Sequence, residues 1–352
     1  MVELMSWRVI LIWLMFGLSG CDNIIAHQFV EAPNDNLAIR GKDAPADVLA
    51  EHHVWRQLRI NVGPPPASLS VWIVQPISGP GLIEVFADSH HHLVVQVAIA
   101  PQTQPSTVSS TNPAEVPKAT LFLLHGWGDD KELAPYELYS LILASEGYRV
   151  VLVDFRGHGR STGDYITYGA RESHDLVQVL DELQRQKLVA GNVGAIGISY
   201  GASVAIMWAS IDSRVRVVVA LEPFSSIRDT AVDAGPILLG SARCFFSDRD
   251  LQDIATRVGQ IAGFDPDRDS PLAAISRITT PVLLIHGKAD RFLHPEHSIR
   301  LHEAAISHSK LILVDGADHL DLWFKGLVTI VKESNDWFDR YLPTQTSSTT
   351  RR

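Results

Sequence analysis

Cysteine is nearly absent, with Cys21 and Cys244 the two in 352 residues. That count excludes a disulfide framework and a cysteine-ligated zinc site. Basic residues are short as well: 30 Lys and Arg stand against 40 Asp and Glu, a net charge of −10. Such a surface lacks the basic stripe that neutralises phosphates, so nucleic acid is not an expected partner. Long apolar runs are missing too. No stretch approaches the ~20 residues that carry a helix across a bilayer, which excludes a multi-pass membrane protein. What is present suffices for a core: 46% of residues are hydrophobic and 20% charged. The length fits one large or two modest domains.

Residues 1–20 read as a leader. The apolar run Val9 to Leu18 is ten residues long, the size of a signal-peptide core. It leads into Leu18-Ser19-Gly20-Cys21, which resembles the lipobox of bacterial lipoproteins. That resemblance implies cleavage before Cys21, acyl chains on its sulfur and a membrane-anchored chain at the cell envelope. Asp22, by the same resemblance to enteric-type lipoproteins, implies retention on the periplasmic face of the inner membrane. Arg8 is the one positive charge ahead of the run, and Glu3 opposes it; a start at Met5 would remove Glu3. The other reading is an uncleaved anchor helix. Residues 21–53 show no sustained periodicity and are expected to be a tether.

From 54 to 99 the texture is β-like, with Leu69 to Val74 and Leu93 to Ile99 rich in β-branched residues. These are expected to be the first strands of the main sheet, and Pro64, Pro65 and Pro66 mark a turn. Pro101 to Pro117 is a polar loop. From 119 onward, short apolar strands (119–124, 149–154, 193–198, 215–221, 281–286, 310–314) alternate with amphipathic helices (132–146, 170–187, 200–210, 296–306, 320–341). Leu176, Val179, Leu180 and Leu183 form one helical stripe. Apolar strands each followed by a helix mean an α/β fold with a mostly parallel sheet covered on both faces. The long interval 223–279 is expected to be an inserted helical cap. The body then spans 54–342, and 343–352 is a polar tail.

The chemistry is carried by Gly197-Ile198-Ser199-Tyr200-Gly201 at the end of the strand from Val193. A sharp strand-to-helix turn needs small residues at 197 and 201 and exposes the serine at a helix N-terminus, where the dipole favours negative charge. A hydroxyl needs a base, and the base an orienting acid, in the chain order Ser, acid, His. Asp290 follows the strand 281–286, and His319 follows the next strand, 310–314. In a parallel sheet these loops emerge at one edge, so the three can converge.

The whole pattern, from about 119 to 341, resembles the α/β-hydrolase superfamily, and within it bacterial serine esterases with a modest cap, some of them relatives of the prolyl-oligopeptidase catalytic domain. His125-Gly126-Trp127-Gly128-Asp129 resembles the oxyanion loop, and Asp154 to Ser161 the tight turn after the next strand. By that likeness the N–H groups of Trp127 and Tyr200 hold the oxyanion. Glu222, after the preceding strand, is the alternative acid.

Other candidates read as structural. Asp318 adjoins His319 but points elsewhere and is expected to bond a loop. His125 and His286 precede glycines at strand ends, where a buried histidine bonds loop backbone, and His158 sits in a turn. His52, His53, His90, His91 and His92 offer no single coordination sphere, because successive strand residues alternate faces; no metal or cofactor is expected. Tyr165 and Trp208 either line the pocket or pack, and Cys244 is expected to be a buried, inert thiol.

The expected activity is acyl transfer by Ser199, His319 and Asp290 on a small-molecule or lipid-like carboxylic ester. Peptidase or thioesterase action is the alternative within the fold, and a non-catalytic binding lipoprotein the alternative outside enzymes.

Overall fold

The computed structural model describes residues 21–77, 82–87, 93–98 and 116–343. The leader 1–20, the histidines at 90–92, most of the polar loop and the tail from 344 lie outside the described residues. The strands are β1 (Arg56–Val62), β2 (Ala67–Val74), β3 (Leu82–Ala87), β4 (Leu93–Ala98), β5 (Thr120–Leu124), β6 (Arg149–Val153), β7 (Val193–Ile198), β8 (Val215–Leu221), β9 (Val282–Gly287) and β10 (Ser309–Val314). Eight of them form one sheet in the order β1-β2-β6-β5-β7-β8-β9-β10. The β1–β2 hairpin turns across Gly63 to Pro66 and joins β6 antiparallel. From β6 to β10 every pairing is parallel.

Of the β-like region, then, β1 and β2 enter the main sheet as expected. β3 and β4 do not, and pair with each other as a separate hairpin.

Alternation along each strand builds a core on both faces. In β5, Phe122 and Leu124 belong to one buried cluster, and Leu121 and Leu123 to the other. Helices Glu172–Arg185 and Tyr200–Ile211 close the first face, and Ala134–Ser145 and Leu327–Tyr341 the second. The stripe Leu176, Val179, Leu180 and Leu183 is wholly buried. Pro135 sits in the first turn of the helix after β5, where a missing N–H costs nothing. At the C-terminal end, Gly326 divides the expected single helix into Leu322–Lys325 and Leu327–Tyr341.

Between β8 and β9 the chain forms Ile227–Leu239, a 3₁₀ turn Gly240–Phe245, Asp248–Ala262 and Pro271–Ile275. Ser247 and Asp250 cap the third of these reciprocally. Cys244 lies in the 3₁₀ turn and is exposed, not buried; the turn projects its thiol outward.

Residues 21–53 also differ from the tether expected of them. Cys21–Val30 is a helix whose Ile25, Ala26 and Val30 are buried in the same cluster as the cap. Its polar and apolar residues mix too closely for a clear period, so only the packing reveals the buried side. Among the described residues, no helix is long and apolar enough to cross a membrane.

Candidate active site

β5 is central: the chain steps from it to β6 on one side and later to β7 on the other. Such a reversal opens a crevice at the carboxyl ends of the strands. Ser199 stands there, between β7 and helix Tyr200–Ile211, at φ 51°. A non-glycine residue in that region is strained and persists only where its surroundings enforce it. Here Ser199 N–H donates to Leu221 O at 2.7 Å, and the two flanking glycines leave no room for another path. A Cβ on Gly197 would lie 2.2 Å from Gly201 O, and one on Gly201 would lie 2.4 Å from Leu124 O.

Loops after β9 and β10 bring Asp290 and His319 to the serine. His319 Nδ1–H donates to Asp290 Oδ2 at 2.7 Å, leaving Nε2 at 3.2 Å from Ser199 Oγ, placed to accept its proton. Asp290 is held from four directions. Its Oδ1 accepts from the N–H groups of Phe292 and Leu293 at 2.9 and 2.8 Å, and Oδ2 also accepts from His286 Nε2 at 3.1 Å. Burial alone would raise its pKa, but the hydrogen bonds from His286 and His319 outweigh burial and hold the carboxyl well below the usual range. It is an anion when the imidazole needs one.

Glu222, the alternative acid, reaches the same imidazole but less closely, with Oε2 3.6 Å from His319 Nδ1. Burial and the adjacent Asp290 carboxylate push its pKa up to about 10. It therefore keeps its proton at neutral pH. Among the described residues, Glu222, Asp290 and His319 bring one ligand atom each within 4.8 Å of one another.

The loop after β5 is pinned one peptide before Trp127. Gly126 N–H donates to Tyr136 Oη at 2.8 Å, and Gly126 O accepts from His125 Nδ1 at 2.8 Å. His125 Nε2 in turn accepts from Phe155 N–H at 3.1 Å, which fixes the neutral tautomer. Burial lowers the His125 pKa to about 4, consistent with that state. In a trans peptide N–H opposes C=O, so the Trp127 N–H points away from His125. It bonds no other backbone group among the described residues. Tyr200 is the first residue of its helix, so its N–H has no intrahelical acceptor. Trp127 and Tyr200 both line the pocket with Ser199, and neither N–H has a backbone partner among the described residues.

Other expected positions fall elsewhere. Asp318 accepts from Arg291 Nε at 2.8 Å and from His319 N–H at 2.8 Å, tying the two site loops together. His158 is buried and bonds Arg156 O. Trp208 packs edge-on against Phe122, and Tyr165 is exposed. Sequence reasoning gave His286 a loop-backbone bond, which it makes to Leu293 O at 2.9 Å. It missed the second bond, to Asp290. Its place four residues ahead of the acid was the available signal.

Beyond Ser199 opens a pocket of about 850 Å³, counted with its mouth. Trp127, Phe224 and Leu293 line it near the serine, and Leu239, Leu251, Ala255 and Val258 line it from the cap. Ile25 and Phe29 of the N-terminal helix complete the wall.

Residues 121–325 match the model of the alpha/beta hydrolase family. The chain belongs to that family. Among relatives, YqkD of Bacillus subtilis, an uncharacterized protein, is 28% identical over 204 residues, 57% of this chain and 65% of its own length. Among solved structures, the esterase Pf2001 of Pyrococcus furiosus superposes with a TM-score of 0.60 at 19% identity, covering 86% of this chain and 95% of its own. The acylaminoacyl peptidase of Pyrococcus horikoshii gives 0.51 at 14% identity, over 83% of this chain and 42% of its own. At those identities both structures speak for the alpha/beta hydrolase fold, within which esterases and peptidases both occur.

Proposed function

We propose that this alpha/beta hydrolase is a serine esterase that cleaves carboxylic esters with an apolar acyl group, held at the cell envelope by a membrane anchor at Cys21. The observation that carries the catalytic reading is the continuous chain Ser199 Oγ, His319 Nε2, His319 Nδ1, Asp290 Oδ2, with links of 3.2 and 2.7 Å. Ser199 Oγ attacks the carbonyl as His319 takes its proton, and Asp290 stabilises the imidazolium. The oxyanion falls between the N–H groups of Trp127 and Tyr200. Collapse expels the alcohol, protonated by His319, and water repeats the sequence on the acyl-enzyme.

The pocket favours an ester over a peptide. Its wall is apolar apart from Ser199, Thr230 and aromatic polar atoms, and a peptide's N–H and C=O groups would lose water there without partners. The anchor reading rests on the ten-residue apolar run that leads into Leu18-Ser19-Gly20-Cys21.

The test is labelling with a fluorophosphonate probe. Wild type should label, and Ser199→Ala and His319→Ala should not. A folded wild type that stays unlabelled would overturn the catalytic reading. Turnover of esters of increasing acyl length, beside matched amides, then decides the leaving group.

A further inference from the structure

We infer that the pocket wall formed by helix Cys21–Val30 lies at the bilayer surface, so that the acyl chain of a membrane-resident ester has a short path from lipid into the pocket. This rests on the esterase reading of Ser199 and on the anchor reading of the N-terminus.

The membrane attachment lies at residue 21 in either form of the anchor. If the leader is cleaved, the acyl chains sit on Cys21; if it is retained, its apolar run ends at Leu18. The helix that begins there is not a leash. Ile25, Ala26 and Val30 are buried, Asn23 Oδ1 accepts from Arg257 Nε of the cap at 2.6 Å, and Phe29 O accepts from Tyr168 Oη at 2.7 Å.

That fixed helix is also a pocket wall. Ile25 and Phe29, one turn apart on one stripe, line the cavity, and the helix that carries them begins at Cys21. At 1.5 Å per residue, Cys21 stands about 6 Å along the axis from Ile25 and about 12 Å from Phe29. The polar layer on each side of a bilayer is roughly 5–8 Å deep. From Cys21 onward the chain is helical up to the wall, so this side of the pocket stays close to the anchor point.

Apolar side chains are also exposed on elements that border the pocket residues along the chain. Ile24, 42% exposed, precedes Ile25, and Ile237, 54% exposed, precedes the pocket residue Leu238. Leu320 and Phe324, 78% and 67% exposed, follow His319. Apolar residues at such positions lose little by meeting a headgroup and acyl boundary.

The experiment uses the full chain, purified in detergent and reconstituted into phosphatidylcholine–phosphatidylglycerol vesicles. Two substrates are compared, a water-soluble acetyl ester and an oleoyl ester dissolved in the bilayer. Ile24→Glu with Ile237→Glu should lower turnover of the oleoyl ester about tenfold or more, with the acetyl ester within about twofold, because charge at these exposed apolar positions weakens their contact with lipid. Equal effects on both substrates, or on neither, would overturn the inference. So would oleoyl turnover that appears only after the protein's own acyl chains are removed, which would make those chains the occupants.

A second readout needs no turnover. An NBD label on Ile237→Cys in a Cys244→Ser background, corrected with Cys244→Ser alone, should be quenched by spin-labelled lipid. An unquenched label overturns the placement. Absence of acetyl-ester hydrolysis by wild type, with the label still quenched, overturns the esterase reading instead.

Discussion

Glu222 Oε2 stands 3.6 Å from His319 Nδ1, the nitrogen that Asp290 Oδ2 holds at 2.7 Å. One imidazole therefore has a charged partner and, just beyond it, a neutral one kept protonated by burial and by the charge on Asp290. Removing that charge removes one of the causes that keep Glu222 protonated. Asp290→Asn should thus retain turnover through Glu222, losing about 10²–10³ where loss of a triad acid costs about 10⁴ elsewhere. The residual rate should rise with pH as Glu222 ionises. Adding Glu222→Gln should abolish both the residue of activity and its pH dependence, as kcat of the two variants would show. A double variant no slower than Asp290→Asn would count against the idea.

The same carboxyl makes stability depend on pH. Folded Glu222 keeps its proton up to about 10, whereas an unperturbed carboxyl loses it near 4.5. The folded state binds more protons across that window, so stability falls as pH rises through it. Glu222→Gln has no proton to lose. Its Tm should exceed that of wild type by a margin that widens from pH 5 toward pH 9, measured by thermal melts across the range. A constant margin would show that Glu222 does not carry the effect.

His125 acts through Gly126. Its Nδ1–H holds the Gly126 carbonyl at 2.8 Å, and its Nε2 accepts from Phe155 N–H. His125→Ala frees the peptide that aims the Trp127 N–H and leaves the Phe155 N–H without a partner. Losing one oxyanion donor costs about 10²–10³ in turnover, and a donor left in place but no longer aimed should cost about tenfold to a hundredfold. The loss should fall on kcat, with KM for a short ester little changed, because the contact matters most once the oxyanion forms. A rise in KM at unchanged kcat would mean that His125 shapes the pocket instead.

Positions whose meaning is local were legible in the sequence. Ser199, Asp290 and His319 each lie on a loop just past an apolar strand, and the parallel sheet delivers all three loops to one edge. Gly197 and Gly201 were legible because backbone occupies the space their side chains would need. What could not be read depends on contacts between distant segments. Residues 21–30 meet the pocket only because the cap, far later in the chain, packs against them. The bond from His286 to Asp290, the near approach of Glu222 to His319 and the exposure of Cys244 follow from how loops and turns stack. The separate β3–β4 hairpin reads like any other pair of β-branched segments until its partner strands are known.

The depth of the pocket sets the last prediction. Ala255, on cap helix Asp248–Ala262, lines the cavity and is buried, so a larger side chain there grows into the space an acyl chain would fill. An acetyl group ends near Ser199 and should not reach it, whereas an octanoyl group should. Each methylene excluded from an apolar site costs roughly 10- to 200-fold in discrimination at most. Ala255→Phe should therefore lower kcat/KM for an octanoyl ester by about a hundredfold while the acetyl ester stays within about threefold. Unchanged fluorophosphonate labelling would show that the Ser199 site itself remains intact. If both esters fall together while labelling persists, the acyl group does not extend toward the cap, and the pocket receives the alcohol instead.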